Sequence, residues 1–408
     1  MMRLLIIILT AMTATSNAVG SAEKTKQKEW TFLVFLNGFN NLDRFGLEDI
    51  NEMEMVGSTD KVNVVVQWAS MSSRKVKRLY IQKDNDKYKI TSPVIEDLGS
   101  ADMGSYKELE NFVKWGAEKY PAKHYFVDIW NHGNGWQVDA EGNVAQGVEP
   151  GVRNISYDDI HGTEITTEQL GVAMQTFAKA IEHKVDIVGM DACLMAMVEV
   201  AGELASSTQF LAASEDLEPG PGWPYDVLLT EWNKGGRKSP SFVGKILTKA
   251  YVKSYWNDDD ISFASYDLSK YDKFASKTKV LFSRLQQCNA SDWEKAFKEI
   301  KTYPTYTHSS YVDMEYAFRG LEKTMCSEFG MGIGAAWRKV RTSMNRMVDY
   351  KESTPGHKYS PATMSFWFPK SSYEYKRFKT RYQAMQFDRD TGWTKIVENM
   401  IPFMSNWQ

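Results

Sequence analysis

The chain has 408 residues, of which 43% are hydrophobic and 25% charged, with a formal net charge of −3. These are ordinary globular proportions, and 13 Trp, 20 Tyr and 20 Phe are too many for a disordered chain. A near-balanced charge with no concentrated basic block excludes an electrostatic case for nucleic acid, and three cysteines are too few for a disulfide scaffold.

The first element is an export signal. Arg3 precedes a mostly apolar run from Leu4 to Ala14, and Ser16-Asn17-Ala18 and Gly20-Ser21-Ala22 offer small residues to a signal peptidase. Residues 1–22 are therefore assigned to the signal. The run is too short to span a bilayer comfortably, and no later apolar stretch reaches about 18 residues. The mature chain is expected to be secreted or periplasmic, with no membrane anchor.

Thr31 to Leu36 (TFLVFL) and Val62 to Trp68 (VNVVVQW) are apolar, β-rich runs. Between them, Gly46 to Val56 has helical spacing of Leu47, Ile50 and Met53. Leu79 to Lys89 alternates like an exposed hairpin strand, and Ser105 to Glu118 reads as an amphipathic helix. Tyr125 to Trp130 (YFVDIW) is the third core strand. Thr167 to His183 is a helix with Thr166 or Thr167 as N-cap. Val185 to Met190 (VDIVGM) is the fourth core strand, Cys193 to Ser206 reads as a helix, and Gln209 to Ser214 as a fifth strand. Further on, Ile261 to Tyr266 and Met364 to Phe368 read as strands, and Tyr271 to Gln287 as a helix.

Strands alternating with helices imply an α/β fold with a mostly parallel sheet covered on both faces. In such sheets the site lies beyond the carboxyl ends of the strands. His132 follows the third core strand by two residues, and Cys193 follows the fourth by three. If the two strands are neighbours, both side chains emerge at one edge. A thiol attacks a carbonyl as the thiolate, which an imidazole nearby can generate. Cys193 at a helix start would also gain from the helix dipole. His132 sits in Asn131-His132-Gly133-Asn134-Gly135 and can shuttle the proton.

Other chemistries lack their parts. There is no G-x-S-x-G elbow for an α/β-hydrolase, no H-E-x-x-H or C-x-x-C for zinc, and no Walker loop or G-x-G-x-x-G for a nucleotide.

Tyr125 to Trp136 (YFVDIWNHGNGW) and Asp186 to Ala201 (DIVGMDACLMAMVEVA) resemble the two active-site blocks of the clostripain family of cysteine peptidases, which shares a structural clan with caspases, legumain and gingipains. The stretches WTFLVFLNGFNNLD, INEMEMVGSTDKVNVVVQ, SEDLEPGPGWPYD, SYVDMEYAF, MSFWFP and QFDRDTGW resemble further blocks of that family, so the resemblance runs from about residue 30 to the end. It implies a caspase-like α/β/α sandwich over residues 23–235, with a C-terminal α/β region, 236–408, packed on it.

The resemblance also implies roles. His132 would be the general acid/base and Cys193 the nucleophile. Gly133 and the Cys193 amide would form the oxyanion hole. Asp191 would line a P1 subsite for Arg or Lys, a sound pairing for a buried carboxylate, although its position also suits a helix N-cap. Ser214, Glu215, Asp216 and Trp223 fall in the substrate-pocket segment. Several family members carry an acid after Gly-Trp where this chain has Pro224, leaving Glu215, Asp216, Glu218 and Asp226 as substitutes.

The family commonly processes itself in the loop between His and Cys. Arg153, before Asn154, supplies the residue type for a cut into light and heavy chains. The resemblance names no certain cofactor. Some members use calcium, for which Asp158-Asp159 and Asp258-Asp259-Asp260 supply hard oxygens without a recognisable ligand spacing. Partners would be peptide or protein substrates. Asp128 is expected to be structural. Cys288 and Cys326 are expected as buried thiols, with a bond between them left open. The alternative reading is a catalytically inactive caspase-like binding or adhesion protein, since fold does not fix function.

Overall fold

The computed structural model describes residues 27–137, 154–235, 238–258, 260–325, 333–357 and 364–404. The expected export signal and the expected processing residue Arg153 lie outside them. No helix among the described residues is long and apolar enough to cross a membrane.

The strands are β1 (Lys28–Gly38), β2 (Val62–Ser70), β3 (Lys75–Tyr80), β4 (Val94–Gly99), β5 (Ala122–Trp130), β6 (Ile155–Asp158), β7 (Thr163–Ile165), β8 (Val185–Asp191), β9 (Thr208–Ala213), β10 (Ser262–Asp267), β11 (Tyr311–Asp313), β12 (Val348–Ser353) and β13 (Ser365–Trp367). A nine-stranded sheet runs β12-β10-β9-β8-β5-β1-β2-β3-β4. Its five central strands, β9-β8-β5-β1-β2, are parallel. The outer pairs on both sides are antiparallel.

The helices α1 (Asp43–Glu54), α2 (Tyr106–Lys119), α3 (Thr167–Ala180), α4 (Val198–Leu204), α5 (Tyr225–Asn233), α6 (Pro240–Ser254) and α7 (Tyr271–Leu285) cover the two faces. Side chains alternate across a strand. In β1, Phe32, Val34 and Leu36 therefore join the core under α1, α5 and α6, while Leu33 and Phe35 join the core under α2 and α3. This is the α/β/α sandwich expected. Thr166 is the cap of α3, in a reciprocal capping box with Gln169.

Residues beyond 236 extend the same sheet through β10 and β12 and add helices to the α2–α3 core. They also reach the centre of the fold. Ser365 of β13 donates its N–H to the Ala196 carbonyl (3.0 Å), and Trp367 N–H donates to Glu199 (2.9 Å).

Three expectations are corrected. The alternation over 79–89 ends as a strand at Tyr80, and β3 pairs antiparallel with both β2 and β4. Residues 192–197 are not helical; α4 begins only at Val198. Cys288 is disulfide-bonded and not a buried thiol, so Cys193 is the free thiol among the described residues. Cys326 lies outside them.

Candidate active site

β5 and β8 are adjacent and parallel, with Trp130 opposite Asp191. His132 and Cys193 each stand two residues beyond that pair, so register alone carries both to the carboxyl edge. The Asn131 N–H donates to the Asp191 carbonyl (3.2 Å), continuing the ladder into the loops. Gly133 lies hard against the Cys193 backbone. A Cβ there would meet the Cys193 carbonyl oxygen at 2.4 Å and the Ala192 Cβ at 3.1 Å, so only glycine fits.

Cys193 sits on a strained turn, without help from a helix N-terminus. Leu194, buried and non-glycine, has φ +62°, a conformation that costs energy and persists only where its surroundings impose it. Two hydrogen bonds impose it here: Leu194 N–H to the Asp216 carbonyl (3.1 Å) and Ala196 N–H to the Ser214 carbonyl (2.8 Å). They bind the Cys193 turn to the segment after β9. The same segment touches the thiol, since Glu218 N–H donates to Cys193 Sγ at 3.3 Å. Burial, with the charges of Asp216 and Asp191, pushes the thiol up to about 11, opposed by the Glu218 N–H. A thiol raised that far favours its protonated form.

The β1–α1 loop forms the facing wall. Asn41 Oδ1 lies 2.6 Å from His132 Nε2. A web of amides fixes that loop: Asn131 Nδ2 donates to the Asn37 carbonyl (2.7 Å), and Asn37 and Asn40 both donate to the Tyr157 carbonyl. The segment after residue 153 is thereby packed against the loop that carries His132.

His132, Gly133, Asp191 and Cys193 line one cavity of about 250 Å³, together with Leu42, Trp130, Asn131, Ala192, Leu194, Leu217, Glu218, Pro219, Gly220 and Gly222. Asp191 is fully desolvated. Its Oδ2 accepts from Trp223 N–H (3.1 Å) and Tyr225 O–H (2.8 Å). Burial still raises its carboxyl to about 6 against those two donors and a side-chain hydrogen bond with Glu218. Tyr225 O–H also meets Asp128 Oδ2 (2.8 Å), deep in β5, where burial raises Asp128 as well. Burial, then the charges of Asp191 and Cys193, raise Glu218.

The other residues of the substrate-pocket segment lie outside the cavity lining. The Ser214 hydroxyl bonds the Asp216 and Ser262 carbonyls. Glu215 is buried towards Asp313 and Tyr306. Asp216 Oδ1 accepts from the Thr307 N–H and hydroxyl. Trp223 is buried among Phe126, Tyr225 and Phe263 and reaches the site through its N–H alone. Asp191 caps no helix, since α4 begins seven residues later. Asn154 is buried and donates to Glu164. Asn41, Leu42 and Tyr225 fall in the stretches WTFLVFLNGFNNLD and SEDLEPGPGWPYD, which assigned them no role.

Of the acids named for calcium, Asp158 is already engaged within the fold. Both Asp158 oxygens already accept backbone N–H groups, from Met103, Ile160 and His161. Asp102 and His161 lie close by, but their contacts with Gly104 N–H and with Asp158 are those of a folded turn. Asp259 lies outside the described residues.

A family model described as the clostripain family matches residues 34–405. Clostripain of Hathewaya histolytica is 27% identical over 241 residues, 53% of this chain and 44% of that protein. The chain thus spans less than half the length of that curated relative. Among solved structures, a secreted C11 cysteine protease from Bacteroides thetaiotaomicron bound to an irreversible peptide inhibitor matches with TM-score 0.64 at 19% identity, covering 90% of this chain and 99% of that one. An inactive zymogen C11 protease from Parabacteroides distasonis matches with TM-score 0.64 at 18% identity, with the same coverage. At these identities the two structures establish a shared fold.

Proposed function

The chain belongs to the clostripain family, and on that premise we propose that it is an exported cysteine endopeptidase that cuts peptide bonds after basic residues. The observation that carries the reading is the pairing of β5 with β8, which delivers His132 and Cys193 to one cavity.

In this reading His132 removes the thiol proton and the Cys193 sulfur attacks the scissile carbonyl carbon. The N–H groups of Gly133 and Cys193 receive the charge on the carbonyl oxygen. The C–N bond then breaks, and His132 returns the proton to the departing amine. Water, deprotonated by His132, releases the acyl group and restores the thiol. Asp191 at the cavity wall favours a guanidinium or ammonium at P1.

The intact chain is read as a precursor. A thiol raised towards its protonated form and the Glu218 main chain against the sulfur suit a resting form, and one structural neighbour is described as an inactive zymogen. Cutting after Arg153 would leave a light chain ending there and a heavy chain beginning at Asn154. Export rests on the apolar N-terminal run, and one neighbour is described as secreted.

The test is hydrolysis of fluorogenic peptides ending in Arg, Lys, Asp or Leu by wild type and Cys193→Ala. Cleavage after Arg or Lys that vanishes in the variant is expected. Cleavage confined to Asp or Leu would remove Asp191 from the subsite. A Cys193→Ala chain still cut after Arg153 during purification would rule out self-processing.

A further inference from the structure

We propose that Tyr311 is a positioning residue for His132, through which the C-terminal region sets the spacing of His132 and Cys193; this rests on the peptidase reading above. The residues that line the cavity run from Leu42 to Gly222, yet the segments that carry them are held from beyond residue 300. β11 and β13 pair as a two-stranded ribbon, with Tyr311 opposite Trp367 and Asp313 opposite Ser365. One strand serves the Cys193 segment: Ser365 of β13 bridges to Met197, and its N–H donates to the Ala196 carbonyl (3.0 Å).

The other strand serves the loop after His132. The buried Tyr311 hydroxyl donates to the Asn134 carbonyl (2.7 Å) and is also hydrogen-bonded by the Gln137 main chain. It ties together both ends of the turn from Asn134 to Gln137. Trp367, opposite Tyr311, meets Trp136 of that turn edge to face, with centroids 5.2 Å apart. Gly135 has φ +63°, and a Cβ there would run into both Met197 Sδ and the Tyr311 ring. The loop is thus packed against the Cys193 segment and Tyr311 together, with no room for a side chain.

Tyr311 is itself fixed. Its ring stacks on His308 at 4.2 Å. Just before it, the Thr307 N–H and hydroxyl hold the Asp216 carboxylate, while the Asp216 carbonyl takes the Leu194 N–H of the Cys193 turn. One stretch of chain therefore reaches both sides of the site. The Asn134 carbonyl lies two residues past His132 and one past Gly133, so releasing it would shift the imidazole and the Gly133 N–H together. The P1 wall at Asp191 lies on β8 and would stay. The loss should fall on rate and not on substrate affinity.

The experiment compares full-length wild type, Tyr311→Phe and Tyr375→Phe on an Arg peptide, well below their melting temperatures. Tyr311→Phe keeps the stacked ring and removes the hydroxyl. Tyr375→Phe removes a hydroxyl bonded to Glu398 (3.1 Å) and controls for lost stability. Tyr311→Phe is expected to lose about 10- to 100-fold in kcat with KM within about twofold, while Tyr375→Phe keeps its kcat. The pH profile of Cys193 alkylation by iodoacetamide, which needs no substrate, reads the pair directly. Its inflection that His132→Ala abolishes should be shifted or lost in Tyr311→Phe. A Tyr311→Phe alkylation profile superimposable on wild type, or a kcat within about twofold of it, would overturn the proposal. Equal falls in kcat in both Tyr variants, tracking their melting temperatures, would overturn it too, by making Tyr311 merely structural. A wild type that shows the His132-dependent inflection but cleaves no peptide would remove the peptidase reading, and the Tyr311→Phe alkylation profile would then decide the positioning role alone.

Discussion

Oδ1 of Asn41 lies 2.6 Å from Nε2 of His132. An amide oxygen can only accept, so this contact selects the tautomer with the proton on Nε2 and leaves Nδ1 as the basic ring nitrogen. The ring is thereby oriented from the β1–α1 loop, opposite the nucleophile turn. Asn41→Ala is expected to lower kcat by about tenfold through misplacement of the imidazole, with KM little changed. Asn41→Asp keeps an acceptor oxygen and should retain most activity. A loss confined to KM would assign Asn41 to substrate binding instead.

With Asp191 in the proposed P1 subsite, substrate affinity should depend on pH. Burial raises Asp191 to about 6 and pushes Glu218 up as well, against a background of buried Asp128, Asp49 and Tyr225. A P1 cation favours the ionised Asp191 carboxylate, so binding must release a proton where it is still protonated. KM for Arg peptides should therefore fall as pH rises through about 6, while KM for Leu peptides stays level. Equal pH dependence for both peptides would show that Asp191 does not contact the P1 side chain.

The sandwich was legible because its central strands are fully buried and read as unbroken apolar runs, TFLVFL and VDIVGM among them. The nucleophile turn was not. CLMAMVEVA has helical spacing, yet Leu194 and Ala196 give their N–H groups to carbonyls at 216 and 214, and Ser365 takes the Ala196 carbonyl. These long-range bonds override local propensity, and they place Cys193 on a strained turn in place of a helix N-terminus. The places of the neighbouring acids were equally hidden. Glu215, Asp216, Glu218 and Asp226 are chemically alike, and only the fold sends Glu215 towards Asp313, commits Asp216 to Thr307 and leaves Glu218 on the cavity wall.

The resting thiol gives a further expectation. With Cys193 pushed up to about 11 by burial and neighbouring acids, little thiolate exists at pH 7. An uncut Arg153→Ala chain should react slowly with iodoacetamide at neutral pH, and cleaved wild type at least about tenfold faster if processing opens the site to solvent or to the His132 charge. Equal rates would mean that processing leaves the thiol's surroundings unchanged.

Glu199 links the nucleophile segment to the C-terminal region and carries a stability signature. It is fully buried, and Oε1 accepts from Trp367 N–H (2.9 Å) and Tyr382 O–H (2.6 Å). Burial raises its carboxyl from 4.5 to about 7. Between those values the folded chain holds a proton that the unfolded chain has lost. Stability from this group is therefore present below about pH 4.5 and declines as pH rises to about 7, by an amount on the order of 3 kcal/mol at most. Glu199→Gln keeps a carbonyl acceptor for the same two donors and cannot ionise. Its melting temperature relative to wild type should rise between pH 5 and pH 8. A constant difference across that range would mean that Glu199 does not change protonation on folding.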